Sequence, residues 1–265
     1  MSSATQTQRE TTVELGTGKV HVLQSGSGDP LVVLHHDTGT PGWLPIYDDL
    51  AKDFTVYVPD LPGFGSSDRL EFARHPRDFA AVVDATLAKL GVSSAAVVGL
   101  GFGGWVALEM ATQNTSRFKS LAVVGSMGVQ PPQGEGEIAD QMLIDFVAYA
   151  KLGFSNQAKF NEMFGEEPNA DQVLIWDYAR EVIARIAWKP YMFSNQLTAL
   201  LKNITIPTVA IWGDNDQVVP ISAGRRIVGQ IPGAKLETVA NAGHNVEIEQ
   251  PEALAALIRA NAQRS

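Results

Sequence analysis

Short apolar runs alternate with amphipathic stretches along most of this chain. LVVLH (Leu31–His35), FTVYVPD (Phe54–Asp60), AAVVG (Ala95–Gly99), LAVVG (Leu121–Gly125) and TVAIWG (Thr208–Gly213) are all of strand length. Runs so short and so continuously apolar fit strands covered on both faces, as in a parallel sheet. Thr11–Glu14 and Lys19–Gln24 instead alternate around Gly-Thr-Gly, which predicts an antiparallel hairpin at a sheet edge. AKLETVA (Ala234–Ala240) predicts one more strand, and apolar spacing predicts helices over Asp78–Leu90 and Glu252–Ala262. Strands that alternate with helices predict a mostly parallel, doubly wound α/β sheet. The rhythm stops between about Gly128 and Asn203, a helix-like segment rich in Met, Phe, Trp and Tyr. This predicts a helical cap over 129–203, inserted between core segments 1–128 and 204–265, with QPPQGEGE (Gln130–Glu137) as hinge.

Composition narrows the class. The chain has 265 residues, 45% apolar and 18% charged, which suits one α/β domain with an insertion rather than a disordered chain. A formal net charge of -9 argues against a nucleic-acid footprint. Cysteine is absent, so disulfides, thiolate nucleophiles and Cys-ligated metals are excluded. The opening MSSATQTQRETT has no apolar leader core, and no apolar run is long enough to span a bilayer. The expectation is a cytoplasmic protein with a small-molecule substrate and with neither nucleic acid nor membrane as partner.

The stretch VVGLGFGGWVALEMA (Val97–Ala111) reads as strand, tight turn and helix. Gly99, Gly101 and Gly104 satisfy G-x-G-x-x-G, the dinucleotide-binding turn. That reading requires an acid after the next strand, and here Ser126 stands instead. The other reading is a nucleophile elbow, G-x-S-x-G, in which a strained turn presents the central residue. Gly101 then occupies the serine position, Gly99, Gly103 and Gly104 are the small neighbours, and a helix opens near Trp105.

Four further motifs accompany the turn: LHHDTG (Leu34–Gly39), DLPGFGSSD (Asp60–Asp68), IWGDNDQVVP (Ile211–Pro220) and NAGHNVEIEQPE (Asn241–Glu252). With the elbow, they make nearly the whole chain resemble the α/β-hydrolase superfamily. The resemblance implies a doubly wound, mostly parallel eight-stranded sheet with an inserted helical cap. It places the triad acid at Asp216 and the histidine at His244, in the family's chain order. It implies an oxyanion hole from the backbone N–H groups of Asp37 and Phe102, with His35 fixing the loop between them. His36 replaces the usual glycine, so an imidazole intrudes at the oxyanion side, where it or Asp37 contacts substrate or water. Trp176 and Trp188, with Tyr178, Met192 and Phe193, either pack the cap or line a pocket. His21 and His75 lie in polar surroundings and are expected to face solvent.

The missing hydroxyl limits the chemistry. Removing the serine from a working triad costs about six decades in turnover, leaving roughly 10³ to 10⁴ over water. One possibility is direct base catalysis, in which His244 oriented by Asp216 activates water or abstracts a proton, with the space over Gly101 holding that water. The substrate is then a small, fairly apolar ester or carbonyl compound. Another is a displaced nucleophile at Ser126, which alternatively is a plain turn serine. A third is an inactive ligand-binding protein or a serine-to-glycine variant of an esterase; a dinucleotide-binding protein is the remote alternative. Neither cofactor nor metal is expected.

Overall fold

A computed structural model describes residues 8–113 and 115–264 of the chain. Met1–Thr7, on which part of the leader expectation falls, lie outside the described residues. No helix among the described residues is long and apolar enough to cross a membrane.

The first elements are the strands β1 (Arg9–Glu14), β2 (Lys19–Gly26) and β3 (Asp29–Leu34), helix α1 (Pro45–Leu50) and strand β4 (Phe54–Pro59). Next come α2 (Pro76–Lys89), β5 (Ala95–Leu100), α3 (Phe102–Gln113) and β6 (Phe118–Val124). Four helices follow: α4 (Phe146–Leu152), α5 (Gln157–Phe164), α6 (Ala170–Ala187) and α7 (Asn195–Leu200). The chain then returns with β7 (Thr208–Gly213), α8 (Ile221–Gln230), β8 (Lys235–Val239), α9 (Val246–Glu249) and α10 (Pro251–Ala262).

The strands form one eight-stranded sheet in the order β1-β2-β4-β3-β5-β6-β7-β8. β2 runs antiparallel to both neighbours, and the other pairings are parallel. Alternate residues of the buried strands feed two cores. Val32 and Leu34 face the α2–α3–α8 layer, while Leu31 and Val33 face α1 and α10. The runs read as doubly covered strands therefore are so, with period two deciding which core each side chain enters.

This topology fixes where a ligand site falls. From β3 the chain steps one way to β4, then returns to lay β5 on the other side of β3. The crevice outside the carboxyl ends of strands at such a reversal is the default binding place of an open α/β sheet. The residues there are His35, His36 and Asp37 after β3, and Gly101 and Phe102 after β5.

Several local expectations shift. α3 starts at Phe102 rather than near Trp105, because the turn is so tight that Gly104 N–H already donates to Gly101 C=O at 3.1 Å. α2 starts at Pro76, where His75 makes a capping box with Asp78. α1 is too short to show periodicity, and α8 carries Gly224 and Gly229, which weaken a helical signal. Between β6 and β7 the described residues hold helices and no strand, and Ala150, Phe154, Phe160 and Trp176 form a small apolar cluster of their own.

Candidate active site

The elbow backbone is built by glycine. Gly101 has φ +50, a region L side chains rarely adopt, and its N–H donates to Val124 C=O at 2.9 Å. Gly104 lets α3 close on the strand ends: a Cβ there would lie 2.5 Å from Ser126 Oγ. Ser126 is consequently drawn beneath α3, fully buried, with its hydroxyl donating to Met127 C=O at 2.8 Å. It does not reach the cleft, so the rim position expected for a displaced nucleophile is not where the fold puts it.

Asp216 and His244 come together from the loops after β7 and β8. Asp216 Oδ1 accepts from the N–H groups of Val218 and Val219 at 2.9 Å each. Its Oδ2 lies 2.9 Å from His244 Nδ1. Burial opposes charge on His244, but the Asp216 carboxylate and its hydrogen bond outweigh that, so the pKa of His244 rises above the ordinary 6.5. The far nitrogen, Nε2, is buried without a hydrogen-bond partner and faces Gly101, where a Cβ would lie 2.9 Å from it.

The space over Gly101 is filled by His36. A Cβ on Gly101 would lie 2.4 Å from His36 Nδ1. The expectation that this place holds a water gives way to an imidazole: His36 enters the space over a residue that has no side chain. The His36 and His244 rings face each other with centroids 4.7 Å apart and planes at 54°. His36 Nε2 lies 3.2 Å from Glu247 Oε1, with both side chains buried. His35 ties the loop down: its Nδ1 lies 2.7 Å from His36 C=O, its Nε2 accepts from Leu61 N–H at 2.9 Å, and burial lowers its pKa.

Asp37 points into the cleft beside these rings. Its Oδ2 accepts from Gln141 Nε2 at 3.0 Å and from the Tyr149 hydroxyl at 2.8 Å. Burial and the Asp37 charge push the Tyr149 hydroxyl pKa well up, so it stays a donor. The Phe102 side chain is buried in the core, and its N–H opens α3, where no intrahelical acceptor exists. A narrow cleft with a cavity volume of about 40 Å³ is lined by His36, Asp37, Tyr149, Trp176, His244 and Glu247 among others.

Two tryptophans part company. Trp176 is buried and lines the cleft. Trp188 is 55% exposed and absent from the lining, so it neither lines the pocket nor packs inside the cap, the two roles expected of it. It follows Trp176 by twelve positions, roughly 120° around the helix at 3.6 residues per turn. That places it away from the buried face of α6, which includes Ala179, Ile183 and Ile186. His21 and His75 do not face solvent as expected either: His21 contacts Asp60, and His75 caps α2. Sequence reasoning missed Glu247, Gln141 and Tyr149. The motif acid, Glu249, accepts from Gly243, Ser155 and Asn156 N–H groups and clamps loops instead. Glu247, two positions earlier in the same NAGHNVEIEQPE stretch, carries no local mark that separates it from Glu249, and the other two stand on a segment whose approach to the core leaves no local signal.

Comparison with known proteins places this geometry in context. The model of a family described as "Alpha/beta hydrolase family" matches residues 31–257. The chain is 26% identical over 264 residues to 2-hydroxymuconate semialdehyde hydrolase from Pseudomonas sp. (strain CF600), covering 91% of this chain and 89% of that protein. It is 26% identical over 258 residues to 2-hydroxy-6-oxo-6-phenylhexa-2,4-dienoate hydrolase from Burkholderia cepacia, covering 90% and 89%. The solved structure of 2-hydroxy-6-oxo-6-phenylhexa-2,4-dienoate hydrolase from Rhodococcus sp. strain RHA1 superposes with a TM-score of 0.75 at 22% identity, covering 98% of this chain and all of that one.

Proposed function

The chain belongs to the alpha/beta hydrolase family, and from that premise we propose that it hydrolyses a small, fairly apolar carbonyl compound without a serine nucleophile. One observation carries this reading: His244 is held by Asp216 at 2.9 Å, while its other nitrogen is buried, unpaired and turned to Gly101 at the elbow. An imidazole so placed takes a proton from a water on the cleft side of the two rings. The hydroxide formed adds to the substrate carbonyl, and the N–H groups of Phe102 and Asp37 receive the developing oxyanion. Collapse breaks the C–O or C–C bond, and the His244 imidazolium returns its proton to the leaving group.

General base catalysis of this kind contributes about 10² to 10⁴, so the leaving group must carry its electron pair easily. The relatives named for 2-hydroxymuconate semialdehyde and 2-hydroxy-6-oxo-6-phenylhexa-2,4-dienoate supply such a class. C–C cleavage beside the oxo group of such a compound releases a conjugated dienolate once the 2-hydroxydiene has ketonised, its hydroxyl proton lost and a proton added at C5; from the dienol itself the leaving group would be a vinyl carbanion. We therefore place this chain's substrate among conjugated oxo acids and activated esters. Trp176 and Tyr149 form the substrate wall, and residues 129–203 act as the cap.

The test is a panel of 2-hydroxy-6-oxo-dienoates and p-nitrophenyl esters, followed by loss of dienoate absorbance or release of nitrophenolate. Turnover that His244→Ala abolishes supports the reading. Turnover unaffected by that substitution, or silence on every member of the panel, overturns it. Fluorophosphonates are expected to leave the protein unlabelled.

A further inference from the structure

His36 Nδ1 and His244 Nε2 converge above Gly101, and one oxygen of the Asp37 carboxylate lies near both rings. His244 Nδ1 is in hydrogen-bond contact with Asp216, whereas His36 Nε2 lies 3.2 Å from Glu247 Oε1 without a hydrogen bond between them. With a proton on each carboxylate-facing nitrogen, the facing nitrogens, His244 Nε2 and His36 Nδ1, both present lone pairs. Neither has a hydrogen-bond partner, and both side chains are about 95% buried, at 4% and 5% exposure. The third acceptor is the Asp37 carboxylate, also buried. One oxygen of Asp37 and one nitrogen from each histidine all lie within 4.8 Å of one another. Buried acceptors left facing each other are costly unless a positive centre joins them.

We propose that His36 Nδ1, His244 Nε2 and the Asp37 carboxylate form a binding site for one divalent transition-metal ion of the zinc type. Two imidazoles and a carboxylate are a sufficient protein ligand set, with a position left open to water or substrate. Bond lengths near 2.1 Å put ligand atoms about 3.4 Å apart on a tetrahedral ion, so atoms now within 4.8 Å of one another close by at most about 1.4 Å. The outer partners match what metal ligands require. Asp216 and Glu247 sit behind the two imidazoles, and Gln141 and Tyr149 steady the Asp37 carboxylate.

Charge and space point the same way. Asp37, Asp216 and Glu247 place three buried carboxylates around the two rings, and an arginine, Arg180, lines the adjoining pocket beside Asp37 and Tyr149 rather than the cleft itself. Gly101 leaves room that a methyl group would take, since its Cβ would lie 2.4 and 2.9 Å from the two facing nitrogens. The inference concerns binding and does not depend on hydrolysis. A bound ion engages the lone pair that His244 would use as a base, so the loaded and metal-free proteins are distinct chemical forms.

The experiment strips the full-length protein with a chelator and titrates it with Co(II), then with Zn(II). The expected result is one Co(II) per chain with visible d–d absorption, which Zn(II) abolishes by displacement. Proton NMR of the Co(II) form is expected to show two shifted, solvent-exchangeable imidazole N–H signals, a readout that needs no variant. His36→Ala and His244→Ala, checked for folding by circular dichroism, should each remove the absorption. Glu247→Gln, which removes no ligand, should weaken binding by about 10- to 100-fold. Absence of d–d absorption in the unmodified protein, which would leave a shared proton between the rings, overturns the proposal. So does binding that both histidine variants retain, because the ion then sits elsewhere. Hydrolysis by protein that binds no metal would sink this site and leave the proposed function standing. Metal binding without turnover in either form would do the reverse.

Discussion

Asp60 lies 3.0 Å from His21 near the hairpin edge of the sheet, and Asp216 lies 2.9 Å from His244 at its carboxyl end. Distance does not separate the two pairs, but their other atoms do. The Asp60 oxygen facing His21 also accepts from Ser66 N–H at 2.9 Å. His21 N–H donates to Ser67 Oγ, and the far nitrogen of the ring meets the exposed Glu10 at 3.6 Å. That pair fastens the DLPGFGSSD loop to β2. At Asp216 the loop N–H groups use one oxygen only, and the far nitrogen of His244 is left buried and unpaired, facing Gly101 and the His36 ring. An imidazole–carboxylate contact becomes chemically useful when its second nitrogen has nothing to do in the folded chain.

Substitution tests this contrast most severely at the histidines. His244→Ala is expected to lower kcat/KM by about 10² to 10⁴, while His21→Ala leaves it unchanged. Parallel assays of both variants check this, and equal losses would erase the distinction.

The next effect is steric. Gly101→Ala places a methyl against two rings at a positive φ and is expected to destabilise the fold by about 1–3 kcal/mol, read from chemical denaturation. Part of that loss should return in Gly101→Ala with His36→Gly. The same clash means that Gly101→Ser alone should stay unlabelled by fluorophosphonates, whereas Gly101→Ser with His36→Gly should become labelled.

A pH profile sharpens the comparison further. His244 acts as a base only when neutral, and its pKa is raised above 6.5. The acid limb of kcat/KM is therefore expected above pH 6.5, and Asp216→Asn should move it to lower pH. The linked stability has the opposite sense. A raised folded pKa stabilises the fold fully below the unfolded value and ceases to do so as pH rises through the folded one. Denaturation midpoints of the parent should therefore lose this increment above pH 6.5, and those of Asp216→Asn should lack it.

The smallest effect belongs to the edge pair. Asp60→Asn should cost on the order of 1 kcal/mol, the scale of a lost hydrogen bond, with kcat and KM untouched. A fall in kcat at unchanged stability would show that the edge pair reaches the site.

Much of this was open to inspection before any coordinates. The strand–helix alternation, the glycine turn after Ala95–Leu100 and the order of Gly101, Asp216 and His244 rest on local spacing and turn chemistry, which short windows of sequence carry. Helix α1 and the start of α3 were obscured because they depend on a few residues at element ends. Trp188 was misjudged because its distance from the buried face of α6 depends on how that helix docks. Of the two readings of Ser126, the turn serine is the one the fold adopts, because the approach of Gly104 turns it inward.

The sequence by itself determined a parallel sheet, an elbow whose apex has no side chain, and an acid and a histidine in the loops that follow. Periodicity and turn residues encode those features within a few positions of where they act. Only the tertiary structure decided what stands over Gly101. His36 arrives there from the loop after β3, and Glu247 backs it from α9. Asp37 is held beside them by Tyr149 and Gln141 from the inserted segment. Their meeting, and the upward shift of the His244 pKa, depend on burial and on distances between remote loops, which no local pattern along the chain specifies.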